Sequence, residues 1–126
     1  MNTEYYEQSE KIRTIAEKVI SEHEDLAWIP YSASVDYVVS GKQKKKAGRA
    51  VLGECMKVKD IYKLYIPYDF IIVIYTQNTF GLTDEQMEIL LYHELLHIGV
   101  NEKDGETEYT VTPHDIEDFK TIIRQY

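Results

Sequence analysis

The stretch DFIIVIYTQNTFGLTDEQMEILLYHELLHIG, Asp69 to Gly99, decides the fold, because it places a buried strand just before a capped amphipathic helix. Asp69 to Thr76 is apolar at consecutive positions and rich in β-branched residues, the pattern of a strand covered by helices on at least one face. Gln77 to Gly81 ends it. Thr83 supplies an N-cap hydroxyl, Gln86 stands at N3 to complete a capping box, and Asp84 and Glu85 suit the positive end of the helix dipole. The spacing predicts a helix from Asp84 to about Ile98, closed by Gly99 at C′. Met87, Leu91, Leu95 and Ile98 form its core stripe, and His93 and His97 a second stripe beside it.

Upstream, Tyr6, Ile12, Ile15, Ala16, Val19 and Ile20 recur at helical spacing and predict an amphipathic helix from Thr3 to about His23. Trp28-Ile29-Pro30 breaks the pattern. Ala33, Val35, Tyr37 and Val39 then alternate as a half-buried strand, and Gly41 with the basic run after it predicts a turn. Arg49 to Val58 begins as a second strand, and Lys59 to Tyr68 reads as a short helix or a loop. Downstream, Asp104-Gly105 marks a tight turn, with Tyr109 and Val111 on the returning strand of a hairpin. Thr112-Pro113 opens a last helix whose core face is Ile116, Phe119, Ile122, Ile123 and Tyr126. The expected fold class is therefore α+β. A small, mostly antiparallel sheet packs on the N-terminal helix and on the helix carrying His93 and His97, with a C-terminal helix, in a single domain over residues 1–126.

Composition narrows the function. With 14 basic and 22 acidic residues the formal charge is −8, which disfavours general attraction to nucleic acid or anionic membrane. Lys42, Lys44, Lys45, Lys46 and Arg49 run against this trend, as a solvated hairpin tip or a phosphate-contacting loop. Cys55 is the only cysteine, so an internal disulfide and a cysteine-based zinc site are excluded. The N-terminal residues show no apolar signal region, and the longest apolar run, Phe70 to Tyr75, is too short to cross a bilayer. A soluble protein in a reducing, cytoplasmic compartment is expected.

His93, Glu94 and His97 form the pattern HExxH. Imidazoles at i and i+4 lie one turn apart on one helix face, where both can ligate a tetrahedral Zn2+. Glu94 is rotated by roughly 100° from His93, so it is placed to reach water on the metal's open side as general base rather than to complete the ligand line. A catalytic site needs a third protein ligand. His114, at the mouth of the last helix, is the leading candidate, with Asp115, Glu108 and Glu117 as rivals and His23 read as a solvated helix-end histidine. Tyr109 is a candidate oxyanion donor or a packing residue.

Val51-Leu-Gly-Glu-Cys-Met-Lys-Val58, Tyr68-Asp-Phe-Ile-Ile-Val73, Leu91-Tyr-His-Glu-Leu-Leu-His-Ile98 and Pro113-His-Asp-Ile-Glu-Asp-Phe119 together resemble the phage metallopeptidase family, relatives of SprT-like zincins. The resemblance spans about the last two-thirds of the chain and does not reach the opening helix. It implies a zincin-like arrangement, a zinc peptidase activity on a protein or peptide substrate, a host-cytoplasmic setting, and His114 as the third ligand. In that reading Zn2+ activates a water and polarises the scissile carbonyl while Glu94 moves the proton. Two other readings stand beside it: a catalytically inactive, zinc-stabilised protein-binding module, and a SprT-like protease acting on nucleic-acid-associated proteins through the basic run.

Overall fold

The computed structural model describes residues 5–112. The last helix and His114 lie outside the described residues. Within them the chain runs β1 (Tyr6–Gln8), α1 (Glu10–Glu22), α2 (Ile29–Ser32), β2 (Val35–Ser40), β3 (Lys45–Lys46), β4 (Arg49–Ala50), β5 (Gly53–Lys57), β6 (Phe70–Tyr75), α3 (Thr76–Thr79), α4 (Asp84–Leu96), β7 (Ile98–Lys103) and β8 (Glu106–Val111). Lys59 to Tyr68, open between helix and loop, contains a 3-10 turn at Asp60–Leu64. The fold is α+β. No helix among the described residues is long and apolar enough to cross a membrane.

The main sheet has four strands in the order β1-β2-β6-β5. Its outer pairings are antiparallel, while β2 and β6 run parallel with Val35 beside Phe70 and Ser40 beside Tyr75. α1 and α4 share one face of this sheet. There Ile12, Ala16 and Val19 of α1 and Leu90, Leu91 and Leu95 of α4 join Val35, Tyr37, Phe70, Ile72 and Ile74 in one buried cluster. Lys18 of α1 bridges to Glu88 of α4 at 3.1 Å across the outside of that layer.

The opening segment departs from the predicted helix. Tyr6 belongs to the edge strand β1, paired with Ser40, and Ser9 caps α1 by accepting from the Ile12 amide at 3.2 Å. A serine followed by Glu10 is a stronger local start signal than one aromatic four residues upstream. β2 is also not half-buried. It lies inside the sheet, so Val35, Asp36, Tyr37 and Ser40 are all buried, and Arg13 reaches Asp36 at 2.8 Å to neutralise it.

Both short hairpins close as their turn chemistry requires. Asp104 and Gly105 take φ of 54° and 79° between the paired Lys103 and Glu106, and Ala47 and Gly48 take 53° and 78° between Lys46 and Arg49. Two successive positive φ values define the type I′ turn, whose twist matches the strands it joins.

Candidate metal centre

The site stands on α4, whose first turn is fixed by its own side chains. Thr83 accepts from the Gln86 amide at 3.2 Å, and the Thr83 amide donates in return to the Gln86 side-chain oxygen at 2.9 Å. The helix then enters the core with Leu90, Leu91, Glu94 and Leu95 buried. The second stripe, bearing His93 and His97, is therefore itself partly sunk into the core. Glu94 is 5% exposed and His97 9%, while His93 is half-buried.

One ligand atom from each of His93, Glu94 and His97 lies within 4.8 Å of the other two. The imidazole centroids are 4.9 Å apart and the rings nearly perpendicular, at 86°. α4 ends about two residues earlier than the spacing predicts, so that His97 is its C-cap rather than an interior residue. Gly99 is correspondingly not the C′ residue. It lies in β7 opposite Thr110, where an added Cβ would stand 2.5 Å from Thr110 Oγ1 and 2.9 Å from Thr112 Oγ1. Glycine serves close strand approach here, not a left-handed cap.

That approach orients His97. The Thr112 amide donates to the His97 carbonyl at 2.6 Å, and His97 Nδ1 lies 2.7 Å from the Thr112 carbonyl oxygen. A carbonyl only accepts, so Nδ1 carries the proton and, in the neutral ring, Nε2 carries the lone pair. This is how ligand histidines are held to one tautomer.

Glu94 is pushed up to about 8, first by burial and then by the like charge of Glu54. None of the ion pairs among the described residues involves it. Two imidazoles and a buried carboxyl that meets no Lys or Arg among the described residues form a donor set that suits a divalent cation, whose charge would favour the carboxylate. Gly53 of β5 lies beside the acid: a Cβ there would be in ordinary contact with Glu94 Cγ at 3.5 Å and crowded at 3.1 Å from Ile74 Cδ1 and 3.2 Å from the Val73 oxygen.

A sequence profile of the family described as "Putative phage metallopeptidase" matches residues 4–126. The chain belongs to this family. The match takes in the opening segment, which the motifs alone left outside. Membership implies a bound metal ion and a protein or peptide substrate. No curated protein and no solved structure matches the chain.

Of the other candidates, His23 is not part of the cluster: its Nδ1 lies 2.8 Å from the Val19 oxygen and its ring packs 4.4 Å from that of Tyr92. Glu108 is exposed on β8, paired with Asn101. His114, Asp115 and Glu117 lie outside the described residues. Tyr109 donates to the Ser32 oxygen at 2.9 Å and packs edge-on against Phe70, which fits packing rather than oxyanion binding. Sequence reasoning missed Glu54. Its carboxylate accepts from Lys44 and from the Tyr75 hydroxyl, and although burial opposes ionisation these partners hold it below the usual carboxylate range. No local pattern marks it, since its partners are 10 and 21 residues away.

Proposed function

We propose that this chain is a zinc metallopeptidase in which His93, His97 and His114 hold Zn2+ and Glu94 is the general base. The observation that carries the reading is the buried Glu94 carboxyl set between two imidazoles, one of them fixed by the Thr112 carbonyl. When bound there, Zn2+ supplies Lewis acidity toward a water and toward the scissile carbonyl. Glu94 accepts the proton of the attacking water at its carboxylate and delivers it to the leaving amine nitrogen. Burial of Glu94, which is 5% exposed, raises its basicity and keeps bulk water away from it.

The substrate is proposed to bind in extended form along β5. The Leu52 oxygen accepts from Tyr75 and the Val58 amide donates to Asp69, so even-numbered residues bond inward to β6. The backbone of Gly53, Cys55 and Lys57 therefore faces the outer edge, to which no strand is hydrogen-bonded among the described residues, with β8 packed nearby. Gly53 brings that edge against Glu94, and a peptide added there as a further strand would place its carbonyls beside the base. Cys55 does not compete as a nucleophile: burial, with Glu94 nearby, pushes its thiol up to about 12.

Glu94→Gln tests this reading. The variant should keep zinc and its fold while hydrolysis of unfolded casein falls about 10²–10⁴-fold, the usual contribution of a general base. Unchanged hydrolysis would remove Glu94 from the mechanism. A zinc-stabilised binding module would instead show no zinc-dependent hydrolysis in the wild type.

A further inference from the structure

The basic run has a definite place in the fold that the peptidase reading leaves unused. Lys42, Lys45, Lys46 and Arg49 are exposed on β3, β4 and the segment leading into them. None of the four takes part in an ion pair among the described residues, whereas Arg13, Lys18, Lys44 and Lys63 each face a carboxylate. On a chain of net charge −8, four cations within eight positions, none within ion-pair distance of a carboxylate among the described residues, act as a local source of positive field. Lys44 turns the other way and neutralises Glu54 on the adjoining strand, removing the acid that would cancel that field.

The hairpin is anchored rather than loosely tethered. The Asn78 side-chain amide donates to the Lys44 carbonyl at 2.9 Å and to the Val51 carbonyl at 2.8 Å, joining both legs to α3. The Val51 amide closes the base onto the Lys44 carbonyl at 2.9 Å. From that base the chain passes through Val51 and Leu52 directly into Gly53, the residue packed on Glu94. At roughly 3.3 Å per extended residue, Arg49 lies on the order of 13 Å of chain from the site. An extended peptide covers that distance in about three to five residues.

Building on the peptidase reading, we infer that the β3–β4 hairpin is a substrate-reading arm that selects peptides carrying a cluster of Asp or Glu about three to five residues to one side of the scissile bond. The arm is continuous with the strand edge that would hold the peptide, so a bound acidic segment meets the cations without leaving the extended conformation. A nucleic acid fits less well. Its phosphates would extend past a hairpin of two paired residues per strand onto a surface that is otherwise strongly acidic.

The test uses the full chain loaded with zinc and carrying Glu94→Gln, so that binding is read without turnover. Fluorescence anisotropy is followed for two labelled twelve-residue peptides, one with a block of four glutamates and the other with four glutamines in their place. The glutamate peptide should bind about tenfold more tightly at low salt, with the advantage shrinking as salt rises. Adding Lys42→Gln, Lys45→Gln, Lys46→Gln and Arg49→Gln should abolish the advantage while leaving zinc content and circular dichroism unchanged. Equal binding of the two peptides to the intact hairpin overturns the inference. So does tighter, hairpin-dependent binding of a labelled 20-base-pair duplex, which would assign the arm to nucleic acid. The peptidase reading fails separately: charge-selective binding without casein hydrolysis by the wild type would sink that reading and leave the arm standing.

Discussion

Gly99→Ala probes the link between strand packing and the metal centre. The new methyl would lie 2.5 Å from Thr110 Oγ1, 2.9 Å from Thr112 Oγ1 and 3.3 Å from the Thr110 carbonyl oxygen. Ordinary carbon–oxygen contacts begin near ~3.3 Å, so the first overlap is about 0.8 Å. Rotating Thr110 relieves only that contact. The Thr112 hydroxyl still lies about 0.4 Å inside that limit, so the strand pair must open slightly. Overpacking of this kind costs about 1–3 kcal/mol, offset by some 0.4–1 kcal/mol from the stiffer unfolded chain. A net loss of about 1–2 kcal/mol corresponds to a Tm lower by roughly 3–10 °C for a domain of this size. Because Thr112 both bonds the His97 backbone and orients its ring, the same displacement should weaken zinc about 10–100-fold. Thermal unfolding in chelator isolates the packing cost, and competition with a chromophoric chelator reads the affinity. Thr110→Ala in the Gly99→Ala background should recover part of both. If Gly99→Ala keeps its Tm within about 1 °C the packing argument is wrong, and if Tm falls while zinc affinity holds, Thr112 does not orient the ligand.

Thr83→Ala removes one half of the capping box and should cost about 1 kcal/mol in urea unfolding, with Thr83→Ser close to neutral; equal stability of all three would mean α4 does not depend on its cap. Arg13→Met leaves Asp36, 6% exposed, with only the Gln8 amide and the Tyr37 N–H among the described residues, and should lower stability by about 1.5–3 kcal/mol; adding Asp36→Asn should restore part of it, and no recovery would refute the charge argument. Asp69 is held below the usual carboxylate range: burial opposes its ionisation, but the Ser34 amide, Lys63 and the Ser34 hydroxyl together outweigh it. A depressed carboxylate stabilises above its unfolded pKa and loses that contribution as pH falls through the folded one. Unfolding free energy should therefore drop below about pH 4 more steeply in the wild type than in Asp69→Asn, and parallel curves would count against it.

How far the sequence spoke for itself varied with the range of the interaction. The Thr83 cap, the β6 run and the Asp104-Gly105 turn are written within four to eight residues, and each appears where its local chemistry placed it. Gly99 was misread because a glycine after a helix has two uses, and the signal separating them is Thr110 across the hairpin. Tyr6 was drawn into a helix because its real partner, Ser40, lies on another strand. The parallel pairing of β2 with β6 and the burial of Asp36 follow from a crossover no periodicity records. At the site, His93 and His97 were legible because helical spacing alone puts them together. The depth of Glu94, the Thr112 lock on His97 and the Glu54–Lys44–Tyr75 cluster were not, since each is set by a contact between separate elements.

Metal stoichiometry tests the central claim most directly. The full chain is purified, reconstituted with zinc and dialysed, and zinc per chain is measured by mass spectrometry for the wild type, Glu94→Gln, His93→Ala and His97→Ala. The account predicts about one ion per chain in the wild type and in Glu94→Gln, and loss of stoichiometric zinc in both histidine variants, with circular dichroism confirming that each chain is folded. Folded wild-type protein that retains no stoichiometric zinc, or histidine variants that retain as much as the wild type, would contradict it.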